Sequence, residues 1–241
     1  WPMDVLQGLV DHCLVGVREP IPGIERFALP ATVRAFAREQ GLGESAEEAH
    51  ATWFASLGEA SAMRRLTGRG GRTRPRQLGL ERDNLGAGAR WAMTHRRADL
   101  ASGCALAWSW LARTHGPFDE GAALLQRVLL LEGLNSAQQA RLWRNLGQLL
   151  RLGGRMEEGL DALGEAASAF ASLGDARGEG LARGNVGDAL MRLGRDSEAT
   201  AEYERALELL DGHPASQAVI RGNLANLLRR RGDLEEIGRA H

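Results

Sequence analysis

The chain has 241 residues, 44% of them hydrophobic and only 5% aromatic, with 30 basic residues, all Arg, against 31 acidic ones. That length suits one or two domains with an extended core, and abundant Ala, Leu, Arg and Glu with few aromatics predicts a mostly α fold. Balanced charge excludes a general field for nucleic acid or anionic membrane. The absence of Lys excludes a phosphate-binding loop ending in Gly-Lys-Ser/Thr, a Schiff-base lysine and a kinase-type lysine.

The opening WPMDVLQGLVDHCLVGVRE predicts an amphipathic helix through Val5, Leu6, Leu9 and Val10, then a short strand over 14–17. Pro20, Pro22 and Gly23 turn the chain into a second strand over 26–29. Pro30 sets φ for the next helix, which carries Val33, Phe36 and Ala37 on one side. Helix, strand, turn, strand is the order of the end of a winged-helix unit, here residues 1–43. Two hairpin strands are marginal alone, so this piece is expected to pack on later helices or on residues ahead of Trp1.

Residues 44–97 read as a helical connector. It begins with a capping box, Ser45 with Glu48, and an apolar stripe through Ala49, Trp53 and Leu57. GRGGRTRPR (68–76) breaks the pattern. Arg64, Arg65, Arg69, Arg72, Arg74 and Arg76 lie around it as a solvated loop, with phosphate neutralisation as the alternative. Helices follow around LERDNLGAGARWAM, LASGCALAWSWLA and DEGAALLQRVLLL. Trp53, Trp91 and Trp143 are expected to pack, and Cys13 and Cys104 to be buried free thiols.

Residues 98–241 repeat. ARLWRNLGQLLRLGGRMEEG, GLARGNVGDALMRLGRDSEA and AVIRGNLANLLRRRGDLEEI share an apolar-small pair and a Gly before an acidic second helix. The pairs Leu146/Gly147, Val186/Gly187 and Leu224/Ala225 are offset by 40 and 38 residues, and Trp108/Ser109 stands 38 earlier in a weaker copy. The repeats are placed near 102–131, 140–173, 180–211 and 218–241. A helix pair with one apolar face cannot bury it alone, so successive pairs stack into a superhelix with a concave groove.

This pattern resembles the tetratricopeptide repeat. Gly147, Gly187 and Ala225 match its helix-crossing position, Gly154, Gly194 and Gly232 its turn, and Gly159, Ala199, Ala166 and Ala206 its second-helix small positions. Ile237 departs from the pattern in the third copy. The spacing exceeds the usual ~34 residues by about one helical turn. In order, CLVGVREP, RFALPATVRAFAREQ, HATWFASLGEA and LERDNLGAGARWA resemble segments of the AfsR- and MalT-like bacterial regulators with STAND-type ATPase modules. The resemblance implies an ATPase module ahead of Trp1, with this chain as a winged-helix remnant and a repeat arm that senses a protein or small effector; with its longest nearly apolar run, around 104–112, too short for a membrane span, the chain is read as cytoplasmic by default.

Asn145, Asn185 and Asn223 recur one place before the apolar-small pairs. Their amides can serve an extended peptide in the groove or bond the neighbouring repeat. Around them the first helices carry Arg141, Arg144, Gln148 and Arg151, then Asp188, Met191 and Arg192, then Asn226, Arg229 and Arg230. Guanidinium forks at spacings of three, four and seven suit a partner segment with acidic side chains or a free C-terminus, the alternative being a solvated face. Trp108 and Trp110 cannot share a helix face, so Trp108 is expected inward and Trp110 toward the groove. The glycines Gly178, Gly180, Gly184 and Gly187 suggest a bare groove floor or a helix held by its neighbours.

Catalysis finds no motif: the six histidines are scattered and no G-x-S-x-G elbow occurs. Glu157/Glu158 and Glu235/Glu236 are explained by the helix dipole. The sequence thus predicts a non-catalytic binding module without cofactor or metal, and no membrane span. The alternative is a nucleic-acid-binding segment using the winged-helix remnant and the Arg-rich stretch.

Overall fold

The computed structural model describes residues 2–40, 44–59, 61–62 and 78–232. Two units divide the chain, Trp1–Ala49 and His50–His241.

The first unit opens with α1 (Pro2–Asp11), followed by β1 (Gly16–Ile21), β2 (Ile24–Ala28) and α2 (Ala31–Glu39). The strands pair antiparallel, Val17 opposite Phe27 and Arg18 opposite Arg26, with an irregularity between Arg18 and Ile21. Pro20, which has no N–H to give the ladder, lies in that irregularity. The first strand starts later than the predicted 14–17 because the Leu14 and Val15 amides bond the Leu9 carbonyl at 2.9 and 3.2 Å, closing the end of α1. Gly23 turns the hairpin with φ 78°. The Pro30 carbonyl accepts from the Arg34 N–H at 2.9 Å, so Pro30 marks the entry to α2 as predicted. Val15 and Ile21 are buried, whereas Met3, Val5, Phe27 and Phe36 are exposed. Cys13, expected inside, is exposed, and only Cys104 is buried.

The helix α3 (Glu44–Ser56) crosses the division between units. It starts one residue ahead of Ser45, which therefore stands in its first turn and not at its cap. Its buried residues are Ala51, Phe54 and Ala55. Trp53 lies off that face and is 67% exposed, contrary to its expected packing role.

Eight helices follow among the described residues: α4 (Arg82–Thr94), α5 (Ala98–His115), α6 (Phe118–Leu129), α7 (Ser136–Leu152), α8 (Met156–Ser172), α9 (Ala176–Arg192), α10 (Asp196–Leu209) and α11 (Pro214–Arg231). A capping box does form at α7, where Asn135 Oδ1 accepts from the Gln138 N–H and Gln138 Oε1 from the Asn135 N–H, each at 2.9 Å.

The predicted pairs are α5/α6, α7/α8 and α9/α10, with α11 the first helix of a fourth. Gly154, Gly194 and Gly232 end first helices in the left-handed region, at φ 85°, 75° and 81°. The crossings explain the small residues. A Cβ at Gly147 would lie 2.6 Å from Leu163, and one at Gly187 2.7 Å from the Tyr203 ring. Ala166, Ala199 and Ala206 are fully buried opposite these crossings.

The α9 glycines are not a bare surface. A Cβ at Gly178 would meet Phe170 at 2.3 Å, one at Gly180 Leu210 at 2.8 Å, and one at Gly184 Ile220 at 2.3 Å. Each glycine makes room for an apolar side chain of α8, of the end of α10 or of α11, and that occupied space overturns the groove-floor reading.

Candidate functional site: the inner face of the repeat stack

Each second helix packs on the first helix of its own pair and of the next, while α5, α7, α9 and α11 also touch in succession. The first helices therefore form one layer, and their outward side chains make a continuous inner face.

A polar ladder runs along that layer. Asn145 Nδ2 donates to the Arg141 carbonyl at 2.8 Å, and its Oδ1 accepts from Ser109 Oγ at 3.3 Å. Asn185 repeats the arrangement, donating to the Leu181 carbonyl at 2.8 Å and accepting from Gln148 Nε2 at 3.2 Å. Asn223 Nδ2 donates to Asp188 Oδ1 at 2.7 Å, and the same oxygen accepts from Tyr203 Oη at 2.7 Å. All three amides thus join consecutive first helices. Asn145 is buried, and Asn185 and Asn223 are half-buried.

The cationic residues divide into two groups. Arg113 Nη1 donates to Gln148 Oε1, and Arg113, Gln148 and Arg151 line a pocket with Trp110, Thr114 and Leu152. Arg151 Nε is buried without a hydrogen-bond partner. Two turns back along α7 from Arg151, the Arg144 guanidinium lies 5.4 Å from the Phe170 ring centroid. Arg141 donates to the Gly58 carbonyl. At the other end of the layer Arg192, Asn226, Arg229 and Arg230 are exposed, with Arg230 donating to the Met191 carbonyl at 3.4 Å. Trp108 is buried in the core, while Trp110 is half-buried at the pocket.

Burial sets the electrostatics. It lowers the Arg113 guanidinium below its usual range, with Arg151 adding to the effect. It brings Arg144 down to about 10, and Arg113 and Arg141 push the same way while Asp175 opposes. Arg151 is lowered by burial, with Asp188 opposing and Arg192 adding. Burial and the neighbouring Asp188 carboxylate raise the Tyr203 hydroxyl, which stays protonated and donates. All these guanidiniums carry their charge at neutral pH, so the α5–α7 part of the face is a concentration of positive charge shielded from water.

The sequence pattern does not single out Arg113 or Tyr203, and it marks Ser109 only as the small residue of the weaker pair. Arg113 had a usable signal, standing 38 residues before Arg151 at the offset of the weaker copy. Tyr203 had none, because its Asp188 partner comes from another helix.

The Arg-rich stretch 64–76, and Glu235, Glu236 and Ile237, lie outside the described residues. Among the described residues no group of three His, Cys, Asp or Glu side chains is placed to hold a metal ion. No described helix is long and apolar enough to cross a membrane.

The tetratricopeptide repeat family matches residues 138–212, which span α7 to α10. BtubC (BKLC) from P. vanneervenii superposes with a TM-score of 0.54 at 17% identity, over 81% of this chain and 88% of that one. A Podosopora anserina putative kinesin light chain with nearly identical TPR-like repeats superposes at 0.59, and a point variant of the same protein at 0.60. Both are 15% identical, over 78% of this chain and 90% of theirs. No curated protein matches the chain in sequence. At these identities the likeness defines a fold, a tetratricopeptide-like superhelix of helix pairs. The chain carries such repeats, and they belong to a class that generally serves as a non-catalytic scaffold for protein interaction.

Proposed function

We propose that the repeat unit holds an extended protein segment along the inner face of α5, α7, α9 and α11, and that the chain is the sensing arm of an AfsR/MalT-like STAND regulator. The carrying observation is the unbroken contact of the four first helices, which lines up polar side chains at repeat spacing. On this reading Trp110, Gln148, Arg151, Asp188, Arg192, Asn226 and Arg229 meet the segment. Asn145, Asn185 and Asn223 each keep one amide hydrogen to offer its backbone. Arg141 and Arg144, engaged by the Gly58 carbonyl and the Phe170 ring, act through their charge.

The segment is a protein or peptide, or a small effector in its place, and its binding state is passed to an ATPase module ahead of the winged-helix remnant. No structural observation favours the nucleic-acid reading, whose Arg-rich stretch is outside the described residues.

The tagged full chain is expected to retain a partner from extract of its own cells, and the double variant Trp110→Ala, Arg229→Glu to release it. Equal retention by the folded double variant rejects the groove. The full reading frame is expected to encode a phosphate-binding loop upstream, and a frame without one rejects the regulator assignment while leaving the groove standing.

A further inference from the structure

Several arginines on the outer surfaces of the repeats are paired. Arg155 meets Glu158 at 2.5 Å, Arg195 meets Glu198 at 2.7 Å and Arg205 meets Glu208 at 2.7 Å, each three residues along the chain. Arg183, half-buried beside α10, has two carboxylates, Glu179 at 2.8 Å and Glu202 at 3.1 Å. Arg113 and Arg151 are the opposite case. They are half-buried, they line one pocket from adjacent helices, and neither has a carboxylate at ion-pair distance. Gln148 Oε1 serves Arg113 alone, and Arg151 Nε has no acceptor.

Two like charges drawn partly out of water with no carboxylate at ion-pair distance oppose folding, in a chain with 31 acidic residues to choose from. The arrangement is relieved when an anion enters from solvent. Helix-end compensation does not replace it, because a helix dipole acts over the last turn and supplies no acceptor to a buried Nε.

We propose that Arg113 and Arg151, with Gln148 and the Trp110 ring as walls, form a site for one side-chain carboxylate of the segment that lies along the inner face. The site rests on the groove reading and specifies the segment as acidic. Guanidinium forks match a planar carboxylate. Asp188, which acts on Arg151, reduces the local positive charge and favours a monoanion over a doubly charged phosphate. Arg192 and Arg229 continue the row over α9 and α11. A segment with acidic side chains engages that row, whereas a chain terminus satisfies only one pair.

The test is titration of the full chain, followed through the Arg Nε–H and Trp indole resonances. Four probes are used: a capped peptide of alternating Glu and Ala, the same peptide with Gln for Glu, the Gln peptide with a free carboxyl end, and one with phosphoserine for Glu. The Glu peptide is expected to shift Arg113, Arg151 and Trp110 saturably, with a Kd at least about tenfold below that of the capped Gln peptide. Arg113→Gln and Arg151→Gln are each expected to erase that preference, and Arg151→Lys to keep part of it.

Equal binding of the Glu and capped Gln peptides overturns the site without any variant. Tighter binding of the free-end Gln peptide overturns the side-chain source, and tighter phosphoserine binding overturns the monoanion assignment. Shifts at Asn226 and Arg229 with none at Arg113 or Arg151 overturn the pocket but keep the groove, and shifts at neither end overturn both.

Discussion

Gly184 has no side chain because Ile220 fills the space where one would be. Ala is the better helix former in isolation, yet Gly184→Ala is expected to destabilise the chain by about 1–3 kcal/mol in urea unfolding. Ile220→Val removes the methyl nearest that position, so it should restore part of the loss in the double variant. Gly222 and Gly164 have open space around the missing Cβ, and Ala at either should stabilise by about 0.5–1 kcal/mol. Cys104 supplies a second test. Burial pushes its thiol up to about 12, while Cys13 is exposed. Iodoacetamide at mildly alkaline pH should therefore label Cys13 alone until the protein unfolds. An unfolded Cys104 ionises at lower pH than the folded one, so its contribution to stability is whole below about pH 9 and lost as the pH rises toward 12.

Between elements, the Asn ladder ties each first helix to the next. Removing the buried Asn145 amide takes away both its link to Ser109 of α5 and its side-chain bond to the Arg141 carbonyl, while Ser109 Oγ keeps the Leu106 carbonyl at 2.8 Å. Asn145→Ala should cost about 1–3 kcal/mol, whereas the exposed Asn226→Ala should cost almost nothing. An effect of Asn145 on a partner therefore has to be separated from its effect on the stack, which exposed variants such as Arg229→Glu allow. The glycine-rich α9 is clamped by α8, α10 and α11. Its amides over 180–190 should exchange as slowly as those over 142–150 in α7, and faster exchange by two orders of magnitude would show that tertiary clamping does not offset its low helix propensity.

At the scale of the whole molecule the two units differ in how much apolar surface they hide. Among described residues, the apolar core runs from Ala51 to Leu228. Val15 and Ile21 are the buried apolar residues of the first unit, beside exposed Met3, Val5, Phe27 and Phe36. The β1–β2 amides should accordingly exchange at least about a hundredfold faster than those of α7. Equal protection would mean that the first unit is stabilised by contacts not evident within it.

Period and small-residue spacing by themselves determined the helix-pair stack, its turns at Gly154, Gly194 and Gly232, and the handover at Pro30. These are consequences of chain-local chemistry: backbone freedom at a turn, a missing N–H, an apolar face that recurs. The same pattern could not say that Trp53 faces solvent, that Gly184 makes room for Ile220, or that Arg183 is paired while Arg151 is not. The partners in those cases come from another helix, in Ile220 one repeat away, and hydrophobic period does not encode which side chain arrives opposite. The charge on the inner face is likewise a tertiary result. Arg151 is legible in the sequence as a repeat-spaced cation, but that it shares a pocket with Arg113 is not, until α5 and α7 pack, withdraw both from water, and leave that pocket without a carboxylate.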